Sequence, residues 1–143
     1  MFLYLRNLRC DRIVALFGAI TWSYCGFHIA WLLWGTIAHV SLWLPVVLLA
    51  IDKLFNTHKN ILEWKALIWF FIFILSLSFS LFAGHMQLWL YILTISIFYT
   101  IRRFIQSGNQ VALLYILIVY VLIGFITSVQ WVPFYAFFKE WGI

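Results

Sequence analysis

Residues 81–91 read LFAGHMQLWLY and lie near the centre of an uncharged run that extends over residues 66–101. One crossing of a hydrocarbon core about 30 Å thick takes roughly 20 apolar residues in a helix, so this run is too long for one crossing and suits two. Backbone that leaves a helix at the end of a crossing must reach headgroups or water. Residues 84–87 combine a glycine with polar side chains, and we therefore predict a tight turn at Gly84 and His85, at one face of a membrane.

The overall composition argues against a soluble domain. Of the 143 residues, 66% are hydrophobic and 9% are charged, and the mean hydropathy is +1.06. A soluble domain usually carries about 25% charged residues. The formal net charge of +5 does not indicate a nucleic-acid partner, because the basic residues fall in short segments between apolar runs rather than in one patch. The lipid bilayer is the expected surrounding of this chain.

The apolar runs on both sides of the central turn predict an all-α polytopic membrane protein with one domain and about five spans. The uncharged run at residues 13–51 is again two crossings long, and we predict its turn at residues 35–41. Residues 52–65 read as the one plainly aqueous segment. The predicted spans cover residues 13–34, 41–54, 64–83, 87–103 and 110–130, and residues 131–143 are predicted to form an interfacial tail.

The distribution of basic residues predicts the orientation. Lysine and arginine are enriched on the cytoplasmic side of membranes. Five spans, with the N-terminus inside and the C-terminus outside, place every lysine and arginine inside except Lys139. The turns around His39 and His85 would then face the outside.

Few residues are candidates for chemistry. The sequence has no phosphate-binding glycine loop, no metal-ligand motif and no paired carboxylates at helical spacing, so neither a metal nor a cofactor is expected. Asp52 falls where the second predicted span reaches the aqueous segment, and the other three acidic residues lie outside the predicted spans. No acidic residue is therefore expected in the interior of the membrane, which disfavours a self-contained proton or cation transporter. The outward polar set is His39, His85, Gln87 and, at the end of the last predicted span, Gln130. One hypothesis is that a histidine and a glutamine at a helix start bind a lipid-linked phosphate, since helix N-termini favour anions. The alternative is that His85 only lets the turn reach water. His28 is interpreted as a packing or hydrogen-bonded histidine.

Four segments, in order, resemble motifs of the bacterial YfhO-like membrane protein family. They are residues 21–31 (TWSYCGFHIAW), 41–53 (SLWLPVVLLAIDK), 83–91 (AGHMQLWLY) and 124–133 (GFITSVQWVP). In the third segment Met86 stands where the family usually has proline. The family is similar to the GT-C class of multi-span glycosyltransferases. The resemblance implies transfer of a sugar from a polyprenyl-phosphate donor to a cell-envelope acceptor, at the outer face of the bacterial inner membrane.

The departures from the family limit what the resemblance implies. Family members are several times longer, and the catalytic base of the GT-C mechanism is an external carboxylate that has no counterpart in this chain. No catalytic residue is therefore assigned, and donor binding by His85, Gln87 and His39 is a hypothesis. The chain is expected to be a partial protein, completed by neighbouring chains. The alternative is a non-catalytic membrane scaffold or remnant.

Overall fold

The computed structural model describes residues 1–56 and 64–141, and these residues contain no β-strand. A short 3-10 helix, Leu32–Trp34, lies between the third and fourth α-helices. In chain order the α-helices are α1 (Phe2–Asn7), α2 (Arg12–Ser23), α3 (Gly26–Ala30), α4 (Thr36–Leu42), α5 (Leu44–Asn56), α6 (Trp64–Phe82), α7 (Met86–Ser107), α8 (Gln110–Ile126) and α9 (Ser128–Trp141).

Several of these helices are long and apolar enough to cross a membrane. Four stretches in the described residues meet that standard: Arg12–Ala30, Thr36–Asn56, Trp64–Phe82 and Met86–Ser107. Helices α8 and α9 supply a fifth if this pair, which is bent by 57°, counts as one broken span. The prediction of an all-helical chain with several helices able to span a membrane is confirmed.

The turn at Gly84 and His85 connects α6 to α7, as predicted. Gly84 has φ +92°, in the left-handed region that residues with a side chain rarely adopt. His85 caps α7, because its Nδ1 accepts a hydrogen bond from the Leu88 amide at 3.3 Å. A second left-handed glycine, Gly108 with φ +61°, ends α7. We call the end of the bundle with the first turn the histidine end, and the opposite end the basic end.

The buried core lies where α5 packs against α6 and α8. Helix α7 joins it through Trp89, whose Nε1 donates to the Leu77 carbonyl oxygen at 3.0 Å. In α2 only Ala15 is buried, so α2 lies at the margin of the bundle. The largest fully buried apolar side chains are Phe73, Ile51, Leu77, Leu81, Ile116, Ile123, Val40, Val47 and Val119.

The turn predicted at residues 35–41 is wrong. Helix α4 begins at Thr36 and continues into α5, and together they make the stretch Thr36–Asn56. The chain breaks earlier, between α2 and α3 and again at the 3-10 helix. Polar side chains at residues 36–41 are compatible with a helix in a membrane because the helix satisfies its own backbone. In addition, Ser41 Oγ lies within hydrogen-bond distance of the Ala38 carbonyl oxygen, at 2.9 Å.

The prediction that Asp52 begins an aqueous segment is also wrong. Helix α5 continues to Asn56, and Asp52 is only 2% exposed. A carboxylate therefore lies within a helix of membrane-spanning length, which the sequence analysis excluded. Residues 57–63 of the predicted segment lie outside the described residues, and Lys65 belongs to α6.

The predicted interfacial tail is helical through most of its length. Helix α9 bends away from α8, carries Pro133 within it and exposes the side chains of residues 131–140. A helix with that bend and exposure suits either the membrane interface or the second half of a broken span. The interfacial position therefore stays a prediction.

Candidate functional site

A cavity of about 300 Å³ lies at the histidine end of the bundle. Two of the three predicted site residues, His85 and Gln87, line it together. The remaining lining residues of the cavity come from α3, the residue that follows it, α4 and α7, and they are Phe27, Trp31, Ile37, Leu88 and Tyr91. Apolar and aromatic walls with a few polar groups are typical of small-molecule sites. We call this space the His85 cavity.

His85 brings a hydrogen-bond donor and a positive helix end to the cavity. Its Nδ1 accepts the Leu88 amide hydrogen bond, so in the neutral ring the proton is on Nε2, which can donate. The amino end of α7 also carries a partial positive charge, from the helix dipole and from amides that have no partner within the helix. Both features favour an anionic or strongly accepting ligand group.

Gln87 and Tyr91 form a hydrogen-bonded pair on the same helix. Gln87 Nε2 donates to the Tyr91 hydroxyl oxygen at 2.9 Å. The Gln87 carbonyl oxygen can then accept, and the Tyr91 hydroxyl proton can be donated. Alternating donors and acceptors beside aromatic rings suit a ligand with several hydroxyl groups.

His39 does not join this site. It is exposed on α4, whereas Ile37 of the same helix lines the cavity. Consecutive residues in an α-helix are about 100° apart, so residues two positions apart point to opposite sides. The grouping of His39 with His85 and Gln87 came from two loops predicted at the same membrane face, and the structure replaces the loop at His39 with a helix.

His28, interpreted from the sequence as a packing or hydrogen-bonded histidine, is 6% exposed and has this structural role. Its Nδ1 lies 2.6 Å from the Trp22 carbonyl oxygen, and its Nε2 lies 2.7 Å from Ser41 Oγ. The ring therefore ties the short helix α3 to α2 on one side and to α4 on the other. Since Phe27 and Trp31 flank His28 in the chain and line the His85 cavity, His28 positions that aromatic wall.

The contact between Cys25 and His28 is not an activated nucleophile. Cys25 Sγ lies 3.3 Å from His28 Nδ1. The Trp22 carbonyl oxygen, which is closer to the same nitrogen, can only accept, so Nδ1 carries the proton. A protonated nitrogen cannot take a proton from the thiol, as a catalytic base would.

We expect Ser41→Ala to lower the free energy of unfolding by about 1 kcal/mol, because a buried polar pair inside a helical membrane bundle contributes that much or less. His28→Ala should cost roughly 1–3 kcal/mol, since it leaves both Ser41 and the Trp22 carbonyl without this partner. Unfolding in a titration with sodium dodecyl sulfate measures both. Ser41→Thr, which keeps the hydroxyl, is the matched control and should stay near the wild type. An equal loss in Ser41→Thr and Ser41→Ala would contradict the assigned hydrogen bond.

A second polar cluster, centred on Asp52, lies at the basic end. Asp52 Oδ1 lies 2.8 Å from Arg103 Nε and accepts the Tyr99 hydroxyl at 2.9 Å. Asp52 Oδ2 accepts Asn7 Nδ2 at 3.0 Å. The Arg103 Nε–H is not aimed at the carboxylate, so this contact is an ion pair rather than a hydrogen bond. We call these residues, together with Asn56, the Asp52 cluster.

The Asp52 cluster has the geometry of a structural site. Arg103 also donates to Asn56 Oδ1 at 2.8 Å and to Gln106 Oε1 at 3.3 Å. Its guanidinium therefore contacts three side chains, one of which is Asp52. Both oxygens of the carboxylate already hold donors. A buried ionisable residue is a functional candidate by default, but one whose partners are all internal has little left for a ligand. If residues 44–56 are treated as one helix, Asp52 lies on the same face as Pro45 and Leu49. The burial of Asp52 could therefore have been predicted from this spacing.

Comparisons with protein-family models, with curated proteins and with solved structures find no match for this chain. The resemblance to the YfhO-like family and the implied sugar transfer therefore stay predictions. In residues 1–56 and 64–141 no three histidine, cysteine, aspartate or glutamate side chains are grouped so that they could hold a metal ion.

Proposed function

We propose that this protein binds the head group of a lipid-linked sugar, carried on a polyprenyl phosphate, in the His85 cavity. The observation that carries the proposal is the shared wall of His85 and Gln87, at the amino end of α7, facing aromatic residues of α3. The His85 Nε2–H and the end of α7 suit the phosphate. The Gln87 and Tyr91 groups and the rings of Phe27 and Trp31 suit the sugar.

The charge distribution supports an outward-facing cavity. With the N-terminus inside, the arginines of residues 1–12 and those at the end of α7 lie on the cytoplasmic side. The histidine end then faces the outer side of the bacterial inner membrane. Polyprenyl-phosphate sugars are donors for transfer on that side in the GT-C class, which the sequence resembles.

Under this proposal the described residues would bind the donor, but they include no base for the transfer itself. No carboxylate lines the His85 cavity, and Asp52 is held by its own partners at the other end of the bundle. We therefore propose that a neighbouring chain would complete a GT-C-type enzyme. The alternative is a non-catalytic scaffold, in which the cavity is only a packing defect between α3 and α7.

A binding comparison separates these two functions. We expect the full-length protein in nanodiscs to bind farnesyl phosphate at least tenfold more tightly than farnesol, because hydrogen bonds to a charged group contribute about 1.5–3 kcal/mol. Farnesyl phosphoglucose should bind more tightly still, through the aromatic wall. Native mass spectrometry of protein released from the nanodiscs measures the bound fractions. Equal binding of farnesol and farnesyl phosphate would exclude a head-group site and favour the scaffold.

A further inference from the structure

The N-terminal segment combines three exposed arginines with exposed apolar side chains. Arg6, Arg9 and Arg12 are all exposed, and Asp11 is the one acidic side chain among them. Leu3 is 68% exposed, and Phe2 and Leu8 are exposed as well. Such a mixture is unfavourable in bulk water and suits the boundary between lipid headgroups and acyl chains.

The segment is held against the basic end of the bundle by its other side chains. Tyr4 donates to the Tyr99 hydroxyl at 3.3 Å, and Asn7 Nδ2 donates to the Asp52 carboxylate at 3.0 Å. Leu5 packs so closely against α2 that a side chain at Gly18 would collide with it. Helix α1 therefore docks with one side on the bundle and presents Phe2, Leu3 and Arg6 on the other.

A tight turn keeps the arginines together. Arg6 Nη1 donates to the Cys10 carbonyl oxygen at 2.8 Å, and Arg9 adopts φ +65°, the single left-handed residue other than glycine in the described residues. Helix α2 then begins at Arg12 and runs directly into an apolar stretch. The three arginines thus lie around one turn, next to the start of a stretch long enough to cross a membrane.

We propose that this N-terminal basic surface binds the phosphate groups of anionic phospholipids. Its members are Phe2, Leu3, Arg6, Leu8, Arg9 and Arg12. The arginines complement the negative headgroups, and the exposed apolar side chains enter the adjoining acyl region. A lipid fits better than a nucleic acid or an acidic protein, because the surface adjoins the start of Arg12–Ala30, a stretch long and apolar enough to cross a membrane. The proposal is independent of the His85 cavity and of which side of the membrane the surface faces.

Two charge-matched variants of the full-length protein test the lipid site. Arg9→Gln/Arg12→Gln removes two charges from the surface but leaves Arg6, which supports the turn. Lys65→Gln/Lys139→Gln removes two charges from other helices. In nanodiscs that hold phosphatidylglycerol and phosphatidylcholine in equal amounts, we expect the wild type to retain phosphatidylglycerol preferentially. The first variant should lower that preference about tenfold at low salt, and the second should lower it little.

A variant that keeps both positive charges distinguishes the loss of charge from an effect on folding. Arg9→Lys/Arg12→Lys should keep most of the preference for phosphatidylglycerol, because lysine also attracts phosphate as a point charge. Native mass spectrometry counts the retained lipids of each class. Equal loss in the two glutamine variants, no preference in the wild type, or the same loss in the lysine variant would each overturn the proposal.

Discussion

Asp52→Ala is expected to lower the free energy of unfolding by roughly 3 kcal/mol, the largest effect on stability that we predict. Removing one partner of a buried ion pair costs about 3–5 kcal/mol, because the remaining charge is left without compensation. Here Arg103 is 21% exposed, so its charge can reach water in part, and the low end of that range applies. Tyr99 and Asn7 lose an acceptor in the same variant.

The pairing can be separated from a general effect of charge removal. Arg102 is exposed next to Arg103, so Arg102→Ala is the matched control and should change stability by no more than about 0.5 kcal/mol. The double variant Asp52→Leu/Arg103→Met removes both charges and should recover much of the loss. Unfolding in a titration with sodium dodecyl sulfate measures all of them. If the double variant loses as much as the single variants Asp52→Leu and Arg103→Met added together, Asp52 and Arg103 are not coupled.

His85→Ser is expected to weaken the binding of farnesyl phosphoglucose at least tenfold, the largest effect on function that we predict. Gln87→Ala is expected to weaken it by a smaller factor, because Gln87 would contact the neutral sugar rather than the charged phosphate. Serine is a good helix N-cap, so His85→Ser keeps the start of α7 and removes the ring donor. Gln87→Ala removes one acceptor and releases the Tyr91 hydroxyl. The loss in His85→Ser corresponds to about 1.5 kcal/mol or more, because the phosphate that its ring would contact is charged.

His39→Ala is the control for this experiment. It removes the same type of side chain from the same end of the bundle, but from an exposed position outside the cavity. Binding by this variant should match the wild type. If His39→Ala weakens binding as much as His85→Ser does, the site does not lie in the His85 cavity. Unchanged binding in both His85→Ser and Gln87→Ala would remove these residues from the site.

Two features of the fold could be predicted because they depend on short stretches of chain. The helices of membrane-spanning length follow from apolar runs of about 20 residues, since a helix satisfies its backbone within itself. The turn before α7 follows from Gly84, which tolerates a positive φ, and from His85, which can cap the next helix. His85 caps α7 and Gln87 lies in the first turn of that helix, so their position beside one cavity also depends on a short stretch of chain.

Two predictions failed because polarity alone was taken as a sign of solvent. Asp52 reads as the start of an aqueous segment, but α5 buries it and Arg103, far along the chain, compensates its charge. His39 and Ser41 read as a turn, but α4 places Ser41 against His28 and leaves His39 exposed. In each case a partner on another helix determines whether a polar residue faces water or the bundle.

Composition and the spacing of apolar runs were sufficient to predict a helical chain able to cross a membrane, together with its central turn. Those properties arise from the low polarity of each run and from hydrogen bonds between residues four apart. Only the packed bundle decided which polar groups meet. The Tyr4–Tyr99 and Asp52–Tyr99 contacts join residues 95 and 47 positions apart. The His85 cavity likewise forms only because α3 lies near α7. No local pattern of residues encodes the proximity of these two helices.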